Sequence, residues 1–431
     1  MSKFKIGIFL NVDRHSGGMY QACISMVNTI YWLYSENKKY DFVIYTKAGN
    51  HEFAEKFKAD NWEIAYLPEV RKKTFKDRLR DKINHGPLRD FMRWFNNIIT
   101  TIDINSRTMN PSLDRFLKQY KPDLIFFSNY DPQAYRQKTP YMTFIPDLQH
   151  LIQPEFPEVG DKYVFPRREK HIRNLVKHAS LLITDSETGR EDVLYYYHKY
   201  LPATTPVEVL PYRLSKNLSP DLSEDAVREV IKKLKLPERF FFYPAQFWEH
   251  KNHQRIIEAI ILLNRRYRLD ARVVFCGSTS GKYRSECIKK LKKMVNRYEL
   301  EDKVLFFGYL SDTEVSALYK KAVALVMPTF FGPANIPVIE AWAMDCPVIY
   351  SDIRGLKEQA GDAALLVDPR AVPSIADGMK KLWESDSIRQ QLIANGRKRL
   401  DHYSEENYNI NLTRIIEKAV KLITDERIST E

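Results

Sequence analysis

The sequence predicts an α/β fold built from two doubly wound parallel sheets that face a cleft between two domains. Its 431 residues exceed the size at which one hydrophobic core keeps growing, which favours two domains. Short β-branched or aromatic runs alternate with longer helical patterns, and this βαβ rhythm is typical of a parallel sheet covered by helices. The rhythm pauses once, over a polar stretch with prolines, and then restarts. The pause predicts the domain boundary.

The elements follow in the order that this fold requires. The first half contains the strand-like runs KIGIFLNV, DFVIYT, DLIFFS, YMTFIPD, SLLITDS and VEVLP. The polar stretch LSKNLSPDLSEDAVREVIKKLKLPER separates them from RFFFYPAQ, ARVVFCGS, KVLFFGYL, VALVMP, CPVIYSD and AALLVDP. We therefore predict one Rossmann-like domain over residues 1–215, a second over 216–403, and a terminal helix over 404–431 that packs back toward the first domain.

Composition narrows the class of protein. Apolar residues make up 44% and charged residues 28%, which indicates a folded globular chain. The four cysteines form no CxxC pair and have no histidine at metal-ligand spacing, so we expect neither a disulfide framework nor a metal site. No apolar stretch reaches the ~20 residues that span a bilayer, and the N-terminal run is too short for a signal peptide. We expect a cytoplasmic protein.

One cluster of positive charge stands out in the sequence. Between Arg71 and Arg93, nine Lys or Arg stand against three Asp, interleaved with aromatic and aliphatic residues. A helix of this composition can bind the anionic lipid surface at the inner face of the cell membrane. The alternative is a surface helix that packs its apolar face on its own domain. Nucleic-acid binding is a further alternative that rests on charge alone. No nucleic-acid-binding module is recognisable in the sequence, so we expect no nucleic-acid partner.

In an open parallel sheet, ligands bind in the loops that follow the carboxyl ends of the strands. Gly17 and Gly18 follow the first strand and lead into a helix, which suits a phosphate, although a plain tight turn is the alternative. Lys251, with Asn252 beside it, follows the first strand of the second half. A lysine there can neutralise a leaving diphosphate, whereas an isolated surface lysine is only solvated.

The most informative segment is VALVMPTFFGPANIPVIEAWAMDCPVIYSDIRGLKEQAGDAALLVDP. A buried strand ends at Pro328, a turn with Gly332 follows, and a helix begins near Ile336. Glu340 lies in the first turns of that helix. Its carboxylate can accept hydrogen bonds from a ribose diol, or it can merely complement the helix dipole.

This segment resembles the signature of family 4 glycosyltransferases, retaining enzymes of the GT-B fold, which reads approximately PSxxEGFGxPxxEAMAxGxPVIxSxxxxxxEVxGdaAxLvdP. The likeness extends upstream through VLFFGYLSDTEVSALYKKA and YPAQFWEHKNH, and more loosely to the Gly-Gly turn. It implies transfer of a hexose or deoxyhexose, such as mannose, galactose or rhamnose, from a nucleotide-diphosphate sugar. The implied acceptor is a cell-surface polysaccharide or lipid-linked glycan bound by the first domain, and no metal or other cofactor is implied.

The resemblance also assigns roles to residues. It implies that Glu340 holds the ribose, Lys251 the phosphates, and the region of Tyr309 and Leu310 the base. Glu358 matches a further Glu of the pattern, without a role that we can derive. The implied donor-binding residues are Gly17, Gly18, Gln246, Lys251, Asn252, Tyr309, Leu310, Gly332, Asn335, Ile336, Pro337 and Glu340.

The sequence departs from the family pattern at three places. Gly332 stands where the first Glu of the E-x7-E pair is expected, so Asn335 or backbone N–H groups must read the sugar. The Arg that usually precedes the phosphate lysine is missing, with Gln246 in its neighbourhood. The family's His-Asp pair appears as Pro146-Asp147, with His150 close behind.

We predict that Asp147 and His150 contact the transferred sugar or the acceptor hydroxyl, and that they act with Lys251 in catalysis. For His150, a local structural hydrogen bond is the alternative. Two other functions stay open for the chain: a sugar-nucleotide epimerase or a phosphorolytic enzyme of the same fold, and a catalytically silent subunit that binds a nucleotide sugar.

Overall fold

The computed structural model describes residues 3–12, 18–50, 54–57, 59–68, 107, 109–214 and 218–430. It divides into two compact units. The first holds the residues up to Glu155, Val159–Leu210 and Asn409–Glu431, and the second holds Phe156–Glu158 and Pro211–Tyr408. Each unit is built around a parallel sheet, which confirms the predicted α/β class.

The sheet of the first unit has seven parallel strands in the order β3-β2-β1-β4-β5-β6-β7. The strand side chains of both faces are largely buried, which explains the near-continuous apolar runs in the sequence. Along the sheet the strand numbers fall from β3 to β1 and then rise from β4 to β7. The topological switch point of the sheet therefore lies between β1 and β4. The strands are β1 (Lys5–Leu10), β2 (Asp41–Thr46), β3 (Trp62–Tyr66), β4 (Leu124–Phe127), β5 (Tyr141–Phe144), β6 (Leu181–Thr184) and β7 (Val207–Val209).

The helices described between these strands begin at residues suited to helix starts. Asn110 caps the helix that begins at Pro111, because its side chain accepts a hydrogen bond from the Leu113 N–H. Ser186 caps the helix that begins at Glu187 in the same way. The helices are α1 (Gly18–Tyr34), α2 (Pro111–Gln119), α3 (Gln149–Ile152), α4 (Pro157–Gly160), α5 (Phe165–His178) and α6 (Glu187–Tyr197).

The sheet of the second unit has six parallel strands in the order β10-β9-β8-β11-β12-β13. Serine caps start three of its helices, at Ser223, Ser311 and Ser385. The strands are β8 (Phe241–Pro244), β9 (Val273–Cys276), β10 (Val304–Phe307), β11 (Ala324–Met327), β12 (Val348–Ser351) and β13 (Leu365–Val367). The helices are α7 (Glu224–Lys233), α8 (His253–Arg265), α9 (Lys282–Arg297), α10 (Asp312–Lys321), α11 (Ile336–Ala343), α12 (Leu356–Ala360), α13 (Val372–Glu384) and α14 (Asp386–Leu400).

The last helix, α15 (Glu405–Thr430), belongs to the first unit from Asn409 onward. Two of its basic residues, Arg414 and Lys418, pair with the Glu208 carboxylate at 2.6 Å each. Its apolar face is buried through Leu412, Ile415, Ile416, Ala419 and Ile423. Helix α15 therefore buries its apolar face within the first unit.

Two sequence predictions fall outside the part of the chain that the structure describes. These are the basic segment from Arg71 to Arg93 and Gly17, whereas Gly18 begins α1. Within the described ranges, no helix combines the length and the apolar character needed to cross a membrane.

Candidate functional site

In the second unit the strand order reverses between β8 and β11. The loops that follow these two strands carry several of the residues predicted to bind the donor. Lys251 lies after β8 and Asn335 after β11, 84 positions apart in the sequence. Because the carboxyl ends of parallel strands meet at one edge of a sheet, the fold brings these loops together.

Lys251 and Asn335 are in direct contact. The Nζ of Lys251 donates a hydrogen bond to Asn335 Oδ1 at 3.1 Å. Asn335 is itself fixed, since its Nδ2 donates to the Tyr350 hydroxyl and its backbone N–H to Gln359 Oε1, both at 2.9 Å. Gln359 Nε2 donates back to the Asn335 carbonyl oxygen, also at 2.9 Å. This network holds the lysine ammonium group beside Asn335, the N-cap residue of α11.

Gly332 occupies a place where a larger residue does not fit. Its φ of 110° is a backbone angle that residues with a Cβ rarely adopt. A Cβ at this position would also lie only 2.9 Å from Asn335 Nδ2. The Asn335 amide therefore fills the space beside Gly332, and a side chain at this position would require Asn335 to move.

Glu340 lies in α11, and its Oε2 accepts a hydrogen bond from the Tyr319 hydroxyl at 3.0 Å. The same hydroxyl lies 3.2 Å from the Pro337 carbonyl oxygen, so Tyr319 contacts both the start of the helix and the carboxylate. Burial raises the pKa of Glu340 to about 7, although the Tyr319 hydrogen bond acts in the opposite direction. Glu340 therefore changes its charge near neutral pH.

His250, which precedes Lys251, is held by a residue that no sequence pattern indicated. Its ring stacks on Phe331 with centroids 3.8 Å apart, and its backbone N–H donates to Glu158 Oε1 at 3.0 Å. The His250 Nδ1 contacts the same carboxylate oxygen. Burial acts to raise the pKa of Glu158, but the hydrogen bonds from His250 outweigh it, and the pKa lies below its ordinary value. Glu158 thereby anchors the turn that carries Lys251.

Gln246 and Asn252 shape the loop after β8. Asn252 adopts a left-handed backbone with φ of 62°, and its Nδ2 donates to the carbonyl oxygens of Pro328 and Pro369, both at 2.8 Å. Gln246 Oε1 accepts a hydrogen bond from Trp248 Nε1 at 3.0 Å. Both residues thus make contacts within the unit, and their contact with a donor stays a prediction.

Tyr309 and Leu310 follow β10 at the same edge of the sheet. Tyr309 is 86% exposed, and Leu310 packs against the core. An exposed aromatic ring at this position is available to stack on a flat ligand group. Glu358, whose role the pattern left open, accepts a hydrogen bond from the Gly355 N–H at 2.6 Å and so supports the start of α12.

Asp147 and His150 follow β5 in the first unit. Asp147 Oδ1 accepts a hydrogen bond from Arg168 Nη2 at 2.6 Å. The His150 side chain is fully buried, and its Nε2 lies 3.1 Å from Glu169 Oε2, to which the Tyr197 hydroxyl also donates. Burial lowers the pKa of His150, although the hydrogen bond with Glu169 acts in the opposite direction. His150 thus has the local structural contact considered as the alternative, and catalytic roles for both residues stay predictions.

Part of the second unit matches a known enzyme family. Residues 227–399 match the family model described as Glycosyl transferases group 1. The O-antigen chain mannosyltransferase B of Escherichia coli is 26% identical over 327 residues, which cover 75% of this chain and 81% of that protein.

Solved structures share the fold over nearly the whole chain. A glycosyltransferase from Rickettsia africae ESF-5 gives a TM-score of 0.67 at 13% identity, covering 98% of this chain and 99% of that one. The structure of Anabaena Alr3699/HepE in complex with UDP-glucose gives a TM-score of 0.65 at 12% identity, covering 96% of this chain and 99% of that one. The fold is GT-B, and the sequence matches show that the chain is a glycosyltransferase.

Proposed function

We propose that this glycosyltransferase moves a hexose or deoxyhexose from a nucleoside diphosphate sugar to a surface polysaccharide or a lipid-linked glycan. Transfer retains the configuration at the anomeric carbon and needs no metal. The name of the Escherichia coli relative favours mannose as the sugar and an O-antigen chain as the acceptor. The UDP-glucose complex of HepE supports a nucleotide sugar as the donor.

The observation that carries this proposal is the contact between Lys251 and Asn335 at the N-terminus of α11. A lysine ammonium group and the free N–H groups of a helix start both attract an anion, and a diphosphate suits the pair. Glu340, farther along the same helix, is available to accept hydrogen bonds from a ribose diol. The exposed Tyr309 ring at the neighbouring strand end is available to stack on the base.

In the proposed mechanism, the bond between the anomeric carbon and the diphosphate oxygen breaks, and the acceptor oxygen bonds to the same face of the sugar. The departing diphosphate takes the proton of the acceptor hydroxyl. The enzyme lowers the barrier by stabilising the negative charge that grows on the diphosphate. Lys251 and the start of α11 supply that stabilisation, and no pair of catalytic carboxylates is needed.

The test is a turnover assay with purified protein and a lipid-linked O-antigen precursor as the acceptor. GDP-mannose, UDP-glucose, UDP-galactose and dTDP-rhamnose are supplied in turn, with and without EDTA. We expect release of nucleoside diphosphate only with acceptor present, a retained anomeric configuration by NMR, and no effect of EDTA. Lys251→Ala should lower kcat by about 100-fold or more, as removal of a charge-stabilising donor does in other enzymes. Lys293→Ala, an exposed lysine on α9, is the control.

Other outcomes identify the alternatives. Conversion of one nucleotide sugar into another without acceptor would indicate an epimerase. Tight binding of a nucleotide sugar without turnover on any glycan acceptor would indicate a silent binding subunit. An inverted product would contradict the retaining mechanism.

A further inference from the structure

The loop after β8 contains one lysine where the family pattern has both an arginine and a lysine. Gln246 lies in the neighbourhood of the missing arginine, and Lys251 follows it in the same loop. The diphosphate of a nucleotide sugar carries more negative charge than one ammonium group balances. A second cation from elsewhere in the fold would complete the site.

Arg284, in the first turn of α9, places its guanidinium group at Gln246. Its Nη1 donates a hydrogen bond to Gln246 Oε1 at 2.6 Å. The guanidinium carbon lies 4.8 Å from the ring centroid of Trp248, and the Trp248 Nε1 donates to the same Gln246 oxygen at 3.0 Å. The arginine side chain is therefore held in one orientation against the loop that carries Lys251.

The fold explains how a residue 38 positions away reaches this loop. Strand β9 pairs with β8, so the loops after both strands start side by side. Gly277 follows β9 and lies so close to the other loop that a Cβ there would be 2.4 Å from the Ala245 carbonyl oxygen. This close approach brings the start of α9, with Arg284, next to Gln246.

The charge of Arg284 is not balanced by a carboxylate anywhere in the described ranges. The nearby acidic residue of the loop, Glu249, pairs instead with Lys290 at 2.7 Å. Partial burial lowers the pKa of the Arg284 guanidinium below its ordinary value. Its two hydrogen bonds, to Gln246 and to the Ser280 carbonyl oxygen, leave both Nη2 hydrogens without a protein acceptor among the described residues.

We propose that Arg284 is the second cation for the donor diphosphate, in place of the arginine missing near Gln246. An arginine fork held by neutral neighbours and lacking a counter-ion is suited to bind phosphate oxygens in a bidentate manner. This inference rests on the proposed function, because it assumes that the second unit binds a nucleoside diphosphate sugar.

The experiment compares nucleotide binding by the full-length wild type, Arg284→Gln, Arg284→Lys and the control Arg297→Gln. Arg297 lies in the last turn of the same helix. Because both residues are arginines, Arg297→Gln removes the same charge from α9 as Arg284→Gln does. Calorimetry with ADP, GDP, UDP and dTDP identifies the preferred diphosphate. Competition against it measures the affinity for the matching nucleoside, which has no phosphate.

We expect Arg284→Gln to raise the Kd of the nucleoside diphosphate by about 10- to 100-fold, as expected for hydrogen bonds to a charged group. The Kd of the nucleoside should change by less than about twofold. Arg284→Lys should give an intermediate loss, because it keeps the charge but not the fork. Arg297→Gln should bind like the wild type.

Three results would overturn the inference. The first is an unchanged affinity of Arg284→Gln for the diphosphate, and the second is an equal loss for diphosphate and nucleoside, which would assign Arg284 to the base or to loop structure. If Arg284→Gln does not fold, Arg284→Lys replaces it in the comparison. The third result is then a wild-type affinity of Arg284→Lys for the nucleoside diphosphate. If the wild type binds none of the four diphosphates, the proposed function itself fails, and this inference with it.

Discussion

Glu340 is a carboxyl group whose charge depends on its surroundings. Burial raises its pKa to about 7, and the Tyr319 hydroxyl is its hydrogen-bond donor. A ribose diol would add hydroxyl groups that donate hydrogen bonds to Glu340 and favour its ionised form. Binding of the nucleotide sugar and ionisation of Glu340 should therefore favour each other.

We expect the affinity for the preferred nucleoside diphosphate to increase between about pH 6 and about pH 8, because Glu340 ionises in this range. Glu340→Gln should bind about 10-fold more weakly at the higher pH, since it loses hydrogen bonds to a charged acceptor. Calorimetry at both pH values measures the two effects. A variant that keeps the pH dependence of the wild type would contradict this role of Glu340.

The same carboxyl group should affect unfolding with the opposite sign. Its pKa is higher in the folded protein than in the unfolded chain, so its stabilising contribution is greatest below the unfolded pKa and is lost as pH rises through about 7. Without ligand, Glu340→Gln should therefore unfold at a higher temperature than the wild type at about pH 8. Thermal unfolding across this pH range measures the difference, which should shrink toward about pH 5.

Gly332 should not tolerate a side chain. Gly332→Ala places a Cβ 2.9 Å from Asn335 Nδ2 on a backbone with φ of 110°. We expect a loss of about 1–3 kcal/mol in the free energy of unfolding and weaker donor binding, because Asn335 must move. Gly49→Ala, where a Cβ would meet nothing within 4 Å, is the control for both measurements. Equal stability of the two variants would show that a side chain fits beside Asn335 at this position.

At the scale of elements, the start of α11 depends on the contact that Tyr350 of β12 and Gln359 of α12 make with Asn335. These three residues exchange hydrogen bonds within a buried cluster. The two elements thus fix the residue that holds Lys251. A change in Tyr350 should therefore affect both stability and donor binding.

Tyr350→Phe removes a hydroxyl that accepts from Asn335 and donates to Gln359. We expect a loss of about 1–3 kcal/mol in unfolding free energy, because buried polar groups are left without partners. Donor affinity should fall as well. Tyr267→Phe removes an exposed hydroxyl that contacts Asp377 and should change neither quantity. Denaturant unfolding and calorimetry test the pair, and a neutral Tyr350→Phe would show that Asn335 is held by other contacts.

The sequence predicted the elements better than the contacts between them. The buried strands are short apolar runs, and Lys251, Asn335 and Glu340 lie in loops and helix starts that the strand pattern places at the sheet edge. Glu158, Gln359 and Arg284 were not predicted, because their partners are 92, 24 and 38 positions away. Such contacts depend on strand order and on close approaches such as that of Gly277, which local patterns do not encode.

At the scale of the molecule, the two units do not correspond to two continuous stretches of sequence. The first unit includes Asn409–Glu431, whose helix buries an apolar face and places two cations on Glu208. The stability of the first unit should therefore depend on residues at the far end of the chain.

Ile416→Ala should lower the free energy of unfolding by about 2–5 kcal/mol, because Ile416 is 1% exposed in α15. Ile410→Ala is the matched control in the same helix, since Ile410 is 59% exposed and its truncation should cost little. Denaturant unfolding of the full-length protein measures both. Similar losses for the two variants would contradict the packing described for the helix.

The position of α15 also affects how the protein is made. An N-terminal domain commonly folds while the ribosome is still synthesising the rest of the chain. Here the buried residues Leu412, Ile416 and Ile423 of α15 are added to the chain after the whole second sheet. We therefore expect the apolar surface that α15 covers to stay exposed during synthesis, and a chain that stops before α15 to be a target for chaperones and proteases.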